Sequence, residues 1–195
     1  MDERGPSDGR LAQRAGKGDT DAFAELVVRH QDYIYNAVMH LVSAPHDAED
    51  IAQEVFMRAF RSIGGFRREA EFSTWVYGIM LNCVRNHWRR QGRRKDTASF
   101  APRCGEDDTT SEPTSPDDGP SEMSQRSETV AAVRRAIDEL DVELREVIVL
   151  RDIEGQPYEA LARIIGVPLG TVKSRLFRAR HALKERISPG LAADL

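Results

Sequence analysis

The chain has 195 residues, a net charge of −4, and 40% hydrophobic and 31% charged residues, enough for one medium domain or two small ones. No run approaches the roughly 20 apolar residues of a membrane span, and the opening MDERGPSDGR has no signal-peptide apolar stretch, so a cytoplasmic location is expected. Two cysteines, Cys83 and Cys104, exclude a disulfide framework or a cysteine-rich zinc site, and composition excludes collagen, coiled coil and a wholly disordered chain.

Residues 11–95 read as successive helices. Phe23, Leu26, Val27, Ile34, Val38 and Leu41 recur at spacings of three and four or their sums, with Asp19 or Thr20 as the N-cap. Pro45 breaks this helix. A second runs over about 47–63, with Ile51, Val55, Met57, Phe60 and Ile63 as apolar members and Gly64-Gly65 at its end. After a loop over 66–72, Ser73 is the expected N-cap of a third helix over about 74–90. Val76, Ile79, Met80, Cys83 and Val84 form its core stripe. Residues 96–126 are rich in Pro, Ser, Thr, Gly, Asp and Glu and offer little to bury, which predicts a flexible acidic linker. Beyond it, Val130, Val133 and Ile137 share one helix face, and Leu144, Val147, Ile148 and Arg151 continue in another helix. A turn at 155–157, a short helix over 158–165, a turn at 166–168 and a helix over about 169–186 follow. The fold class expected is all-α, with two small helical domains at 1–95 and 127–195.

Charge is distributed unevenly. Residues 1–95 hold 15 Lys/Arg against 13 Asp/Glu, residues 96–126 hold 2 against 8, and residues 127–195 hold 11 against 11. Two basic clusters stand out, at 82–95 and 173–186, each with six Lys/Arg. Two basic patches in an acidic chain predict two separate contacts with a polyanion.

The last elements have helix-turn-helix spacing. Ala162 is small where helices approach, Gly166 stands where the turn needs positive φ, and Pro168 suits the start of the second helix. Val172, Leu176, Ala179 and Leu183 make one buried stripe. At about 100° per residue, Lys173, Ser174, Phe177, Arg178, His181 and Lys184 project oppositely, with Arg175 and Arg180 on the flanks. Cations, a hydroxyl and a phenyl ring on one face suit the DNA major groove.

The third helix interleaves Trp75, Tyr77, Asn82, Arg85, Asn86, Trp88, Arg89 and Arg90 with its core stripe. Aromatic faces, amides and cations together suit single-stranded DNA, and the 64–72 loop is a candidate pocket wall for an extruded base. Trp75 fits a core aromatic equally well. Asp47, Glu49, Asp50 and Glu54 on the second helix favour its macrodipole; with Gln53 and Phe56 they also make a protein-docking surface.

These segments together resemble the extracytoplasmic function (group 4) sigma factors of bacterial RNA polymerase. DAEDIAQEVFMRAFRSI at 47–63 is similar to the family's region 2.2, FSTWVYGIMLNCVRNHWRR at 72–90 to regions 2.3 and 2.4, and 151–183 to region 4. The resemblance implies a promoter-specific initiation factor with no catalytic residues and no cofactor. It implies docking of Asp47, Asp50, Gln53, Glu54 and Phe56 on the β′ clamp helices, and region 4 seated on the β flap. It implies reading of the −35 element by Thr171, Lys173, Ser174, Arg175, Phe177 and Arg178. The −10 strand falls to Phe66, Trp75, Asn82, Arg85, Asn86, Arg89 and Arg90. An anti-sigma factor is the implied inhibitor, with the linker allowing a compact inhibited and an extended polymerase-bound arrangement. Gly78 stands where the family often has Arg or Lys, at a helix cost of about 1 kcal/mol relative to Ala, and Met80 and Leu81 are bulkier than is usual there.

Other classes fit less of the chain. No phosphate loop, HExxH or nucleophile elbow marks an enzyme. An ordinary helix-turn-helix regulator leaves the third helix and the acidic helix unexplained. Cys83 and His87 are spaced i, i+4 like a ligand pair, but Cys83 lies on the core stripe and two further ligands are lacking.

Overall fold

Asp19 accepts a 3.0 Å hydrogen bond from the Ala22 amide and so caps α2 (Thr20–Val42). The cap also holds the Asp19 carboxyl below its ordinary pKa, with Arg14 adding to the effect. The computed structural model describes residues 6–67, 69–98 and 120–191, which form eight α-helices and no strand. Before α2 lies a helix that the periodicity did not separate, α1 (Asp8–Ala15), burying Leu11, Ala12 and Ala15. Arg29 ties it down, donating to the Pro6 carbonyl at 2.8 Å and to Asp8 at 2.9 Å, while His30 Nε2 lies 2.7 Å from the other Asp8 oxygen. Gly16 lets α1 end against the turn at Ile63–Gly65, since a Cβ there would stand 3.2 Å from the Ile63 carbonyl.

α2 buries Phe23, Leu26, Ile34, Val38 and Leu41, the members read from spacing apart from the half-buried Val27. Ser43, in the left-handed region at φ 62°, ends it. Pro45 does not merely break that helix: it opens α3 (Pro45–Ser62), where its missing amide costs nothing. The buried stripe of α3 is Ala48, Ile51, Val55 and Ala59. Met57 and Phe60, expected on the apolar side, are instead 42% and 49% exposed. Both fall off that stripe, and Phe60 meets Phe23 of α2 edge-on at 5.1 Å.

α4 (Phe72–Ala98) starts one residue before the expected Ser73 cap. Val76, Met80, Cys83 and Val84 are buried, Ile79 half-buried. Tyr77, assigned to the exposed side, is buried at 4%, and Leu81 is fully buried. A second face of α4 is therefore covered, by the C-terminal half of the chain.

That half comprises α5 (Pro120–Asp138), α6 (Val142–Ile148), a π turn at Val149–Ile153, α7 (Tyr158–Ile165) and α8 (Leu169–Leu191). α4 and α5 run past the expected linker bounds; residues 99–119, with Cys104, lie outside the described residues. Ile137 is buried and Val133 half-buried, but Val130 is 67% exposed. Gly166 ends α7 at φ 78°, the conformation its position demands. Val172, Leu176 and Ala179 of α8 are buried and Leu183 is half-buried, against α5, α6 and α7.

Candidate nucleic-acid interface

With one side of α8 committed to the core, the opposite side is free. Lys173, Ser174, Phe177, Arg178, His181 and Lys184 are all exposed, and Phe177 at 73% is the most exposed large apolar residue among those described. Beside it a shallow cleft of about 380 Å³ runs past Tyr158, Arg180 and His181. Arg180 is held on Asp152 at 2.7 and 2.9 Å, which fixes it still more firmly in the charged form. Thr171 is half-buried, and its carbonyl accepts from Ser174 Oγ at 2.9 Å. Arg175 differs from its neighbours. Its side chain is 12% exposed and paired at 2.8 Å with Glu143 of α6, so it braces α8 rather than joining the outward face.

The N-terminal half carries the second site. Phe66, Phe72 and Trp75 form an aromatic nest, with ring centroids 5.2 Å apart for Phe66–Trp75, 5.7 Å for Phe72–Trp75 and 6.0 Å for Phe66–Phe72. Phe72 is buried, while Phe66 and Trp75 are half-buried. The two readings of Trp75 are thus both partly met: it packs on the core and presents an edge. That edge lines an open cavity of about 470 Å³ with Phe66, Arg67, Thr74, Gly78 and Asn82. Gly78 meets nothing within 4 Å of where a Cβ would stand. Asn82, Arg89 and Arg90 are exposed and Asn86 is half-buried, accepting from Arg89 at 2.6 Å. Arg85 is engaged side-on by Glu146 of α6, with two bonds of 2.6 Å.

Sequence reasoning missed Arg163 and Ile164 of α7, which close the far wall of the same cavity. Nothing local marks them, because the wall forms only when the two halves meet. It also missed the apolar part of the α3 surface. Asp50 and Gln53 are exposed; Glu54 is half-buried, paired with Arg58 at 2.6 Å, and Asp47 lies 3.5 Å from His87. Phe56 is half-buried against the core, and the apolar groups presented outward are Met57 and Phe60. Cys83 is buried in the bundle, where loss of solvent raises its thiol pKa.

Two helical bundles, one bearing a helix-turn-helix with a cationic outer face and the other an aromatic cavity beside an Asn/Arg helix, define a two-domain DNA-binding protein. Residues 26–94 match the family described as Sigma-70 region 2, and residues 131–183 that described as Sigma-70, region 4. The RNA polymerase sigma-H factor of Pseudomonas aeruginosa is 35% identical over 182 residues, covering 93% of this chain and 94% of that one. The ECF RNA polymerase sigma-E factor of Escherichia coli K12 is 35% identical over 179 residues, covering 92% and 93%. The structure of CnrH in complex with the cytosolic domain of CnrY is similar at 27% identity and a TM-score of 0.66, covering 97% of this chain and all of that one. The RpoE of Bartonella quintana, solved with the anti-sigma factor NepR, shares the fold at 23% identity and a TM-score of 0.68, covering 85% and 96%. The chain belongs to the sigma-70 family, in its extracytoplasmic function group. It is a transcription initiation factor of RNA polymerase.

Proposed function

We propose that the chain docks on core RNA polymerase through α3, reads the −35 element as duplex with α8, and captures the −10 strand with the aromatic cavity and α4. The outward face of α8 carries this reading: four neighbouring positions, Lys173, Ser174, Phe177 and Arg178, offer cations for guanine edges or phosphates, a hydroxyl, and a ring for a thymine methyl. In the −10 site, Phe66 and Trp75 supply stacking surface and Asn82, Asn86, Arg89 and Arg90 supply amides and cations. The working units are residues 1–95 and 127–195, joined by an acidic segment over 96–126 that enters the polymerase channel. The chain itself performs no chemistry and acts in the cytoplasm, where an anti-sigma factor restrains it.

On α3, the exposed Asp50 and Gln53 precede the exposed Met57 and Phe60 along one helix face, so polar groups flank an apolar pair. Asp50→Ala is expected to weaken core binding by about 1–2 kcal/mol, roughly five- to thirtyfold in Kd. Its carboxylate is 68% exposed and only loosely paired, 3.9 Å from His46, so thermal stability should not change. An unchanged affinity would remove Asp50 from the interface.

The function as a whole is tested by in vitro transcription. The purified chain is mixed with bacterial core polymerase and pooled genomic template, and RNA 5′ ends are mapped. Discrete starts that require the chain and share sequence blocks near −35 and −10 are the expected result. No chain-dependent starts, together with tight duplex binding by the chain alone, would instead identify a helix-turn-helix regulator.

A further inference from the structure

Lys173, Phe177, Arg180 and Lys184 stand at i, i+4, i+7 and i+11, so they form one row along α8, roughly 16 Å long at 1.5 Å per residue. All four are exposed, and the row borders the cleft beside Tyr158. The first turns of a recognition helix enter the groove and meet base edges. A row that continues past them along the same edge leaves the bases and comes beside the strand's phosphates.

Arg180 is the arginine of this row, and its side chain is oriented from outside the helix. Its Nε donates to one Asp152 oxygen at 2.9 Å and its Nη2 to the other at 2.7 Å. Asp152 lies in the π turn at Val149–Ile153. Val149 and Leu150 of that turn are buried, and Arg151 is committed to the Gln156 carbonyl at 2.9 Å and to the Tyr158 ring at 4.7 Å. Asp152 is thus the group that the turn presents to α8.

The pair is too exposed to matter much to folding. Its two side chains are 52% and 34% exposed, and ion pairs in that setting add little to stability. What the grip does fix is direction. Held through Nε and Nη2, the planar guanidinium keeps its Nη1 donors on the opposite edge. A long side chain already held in place also loses less rotamer freedom when it meets a second acceptor. A phosphate oxygen is the acceptor that a row of cations on this helix would meet.

We propose that Asp152 is a positioning residue of the −35 site: it touches no DNA itself, and it aims Arg180 at a phosphate beside the bases read by Lys173, Ser174, Phe177 and Arg178. The inference rests on the −35 reading above and adds to it a contact and its support, neither among the residues assigned there. A bare carboxylate beside DNA repels phosphates, so the sign of the Asp152 effect separates aiming from repulsion.

The test uses the holoenzyme formed from the full chain and core polymerase. The probes are a duplex carrying a promoter mapped by chain-dependent transcription and the same duplex with its −35 block replaced. Affinity is read over a range of potassium chloride concentrations for wild type, Asp152→Ala, Arg180→Ala, the double variant and Arg178→Ala. Melting of each chain alone and its affinity for core are measured alongside. Arg180→Ala is expected to lower affinity about three- to tenfold, equally on both duplexes. It should also reduce the slope of log affinity against log salt by about one. Asp152→Ala is expected to lower affinity about two- to fivefold where Arg180 is present. It should change nothing where Arg180 is absent, since the two groups act as one. Melting temperature and core affinity stay at wild-type values. An unchanged salt slope in Arg180→Ala overturns the phosphate contact. Higher affinity in Asp152→Ala, or an equal loss in both backgrounds, overturns positioning. Failure of the −35 reading itself looks different: no chain-dependent starts, or Arg178→Ala as tight as wild type on both duplexes, and the proposal then falls with it.

Discussion

Phe72→Ala is expected to destabilise the N-terminal bundle by about 3–5 kcal/mol, the range for truncating a buried aromatic. Phe72 is 2% exposed. Its ring is shared by Phe66, Trp75 and, at 5.2 Å, His30, so removing it leaves a cavity bordered by three rings and frees the first turn of α4. Phe66 and Trp75 form part of the wall that we assign to the extruded base. Both rings pack against the buried Phe72 ring beneath them. The variant should therefore lose −10 capture beyond what its lowered stability explains. The check is a chemical-denaturation midpoint alongside potassium permanganate footprinting of promoter opening, at a temperature where the variant remains folded. Phe72→Leu refills most of the volume and should recover most of the stability, with opening still impaired because a stacking partner of Trp75 is gone. Normal opening in a destabilised Phe72→Ala chain would show that the nest is core alone.

The outer face of α8 was legible in the sequence because one helix, packed on one side, obeys a single period. Its buried stripe and its exposed set both lie where spacing places them. Arg175 was not legible. It sits on the flank, and its direction is decided by Glu143, 32 residues earlier on another helix. α4 shows the same limit more sharply. Its first stripe faces α2 and α3 and follows local spacing, whereas Tyr77 and Leu81 are buried by the C-terminal bundle, reached only across the 96–126 segment. Arg85 reads locally as a free cation, and only tertiary packing supplies Glu146. On α3, the apolar members were read by residue type; Ile51 and Val55 do face the core, but Met57 and Phe60 fall off the stripe completed by Ala48 and Ala59 and turn outward. α1 escaped notice because it is eight residues long with too few apolar positions to show a period; besides its buried Leu11, Ala12 and Ala15, the pairing of Asp8 with Arg29 of α2 ties it down.

Arg178→Ala, and more strongly Lys173→Ala/Arg178→Ala, should lower transcription from promoters that depend on the −35 element without lowering core affinity. A base-edge contact is worth about 1–3 kcal/mol of discrimination, whereas a phosphate contact adds affinity uniformly across sequences. The two kinds of contact separate by salt. If Lys173 meets a phosphate, its removal reduces the slope of log affinity against log salt by about one, and by the same amount on every sequence. If Arg178 meets a guanine edge, its removal relaxes preference at one position of the −35 block and leaves the others unchanged. Both side chains are exposed, so neither variant should melt earlier. Arg175→Ala is the contrasting case. Its Nε is buried without a hydrogen-bond partner and its Nη2 holds Glu143, so truncation should loosen α8 from α6 and lower the melting temperature first. A loss of core binding in the Arg178 variant would mean that this face meets polymerase, and the −35 reading would then have to move elsewhere on the helix-turn-helix.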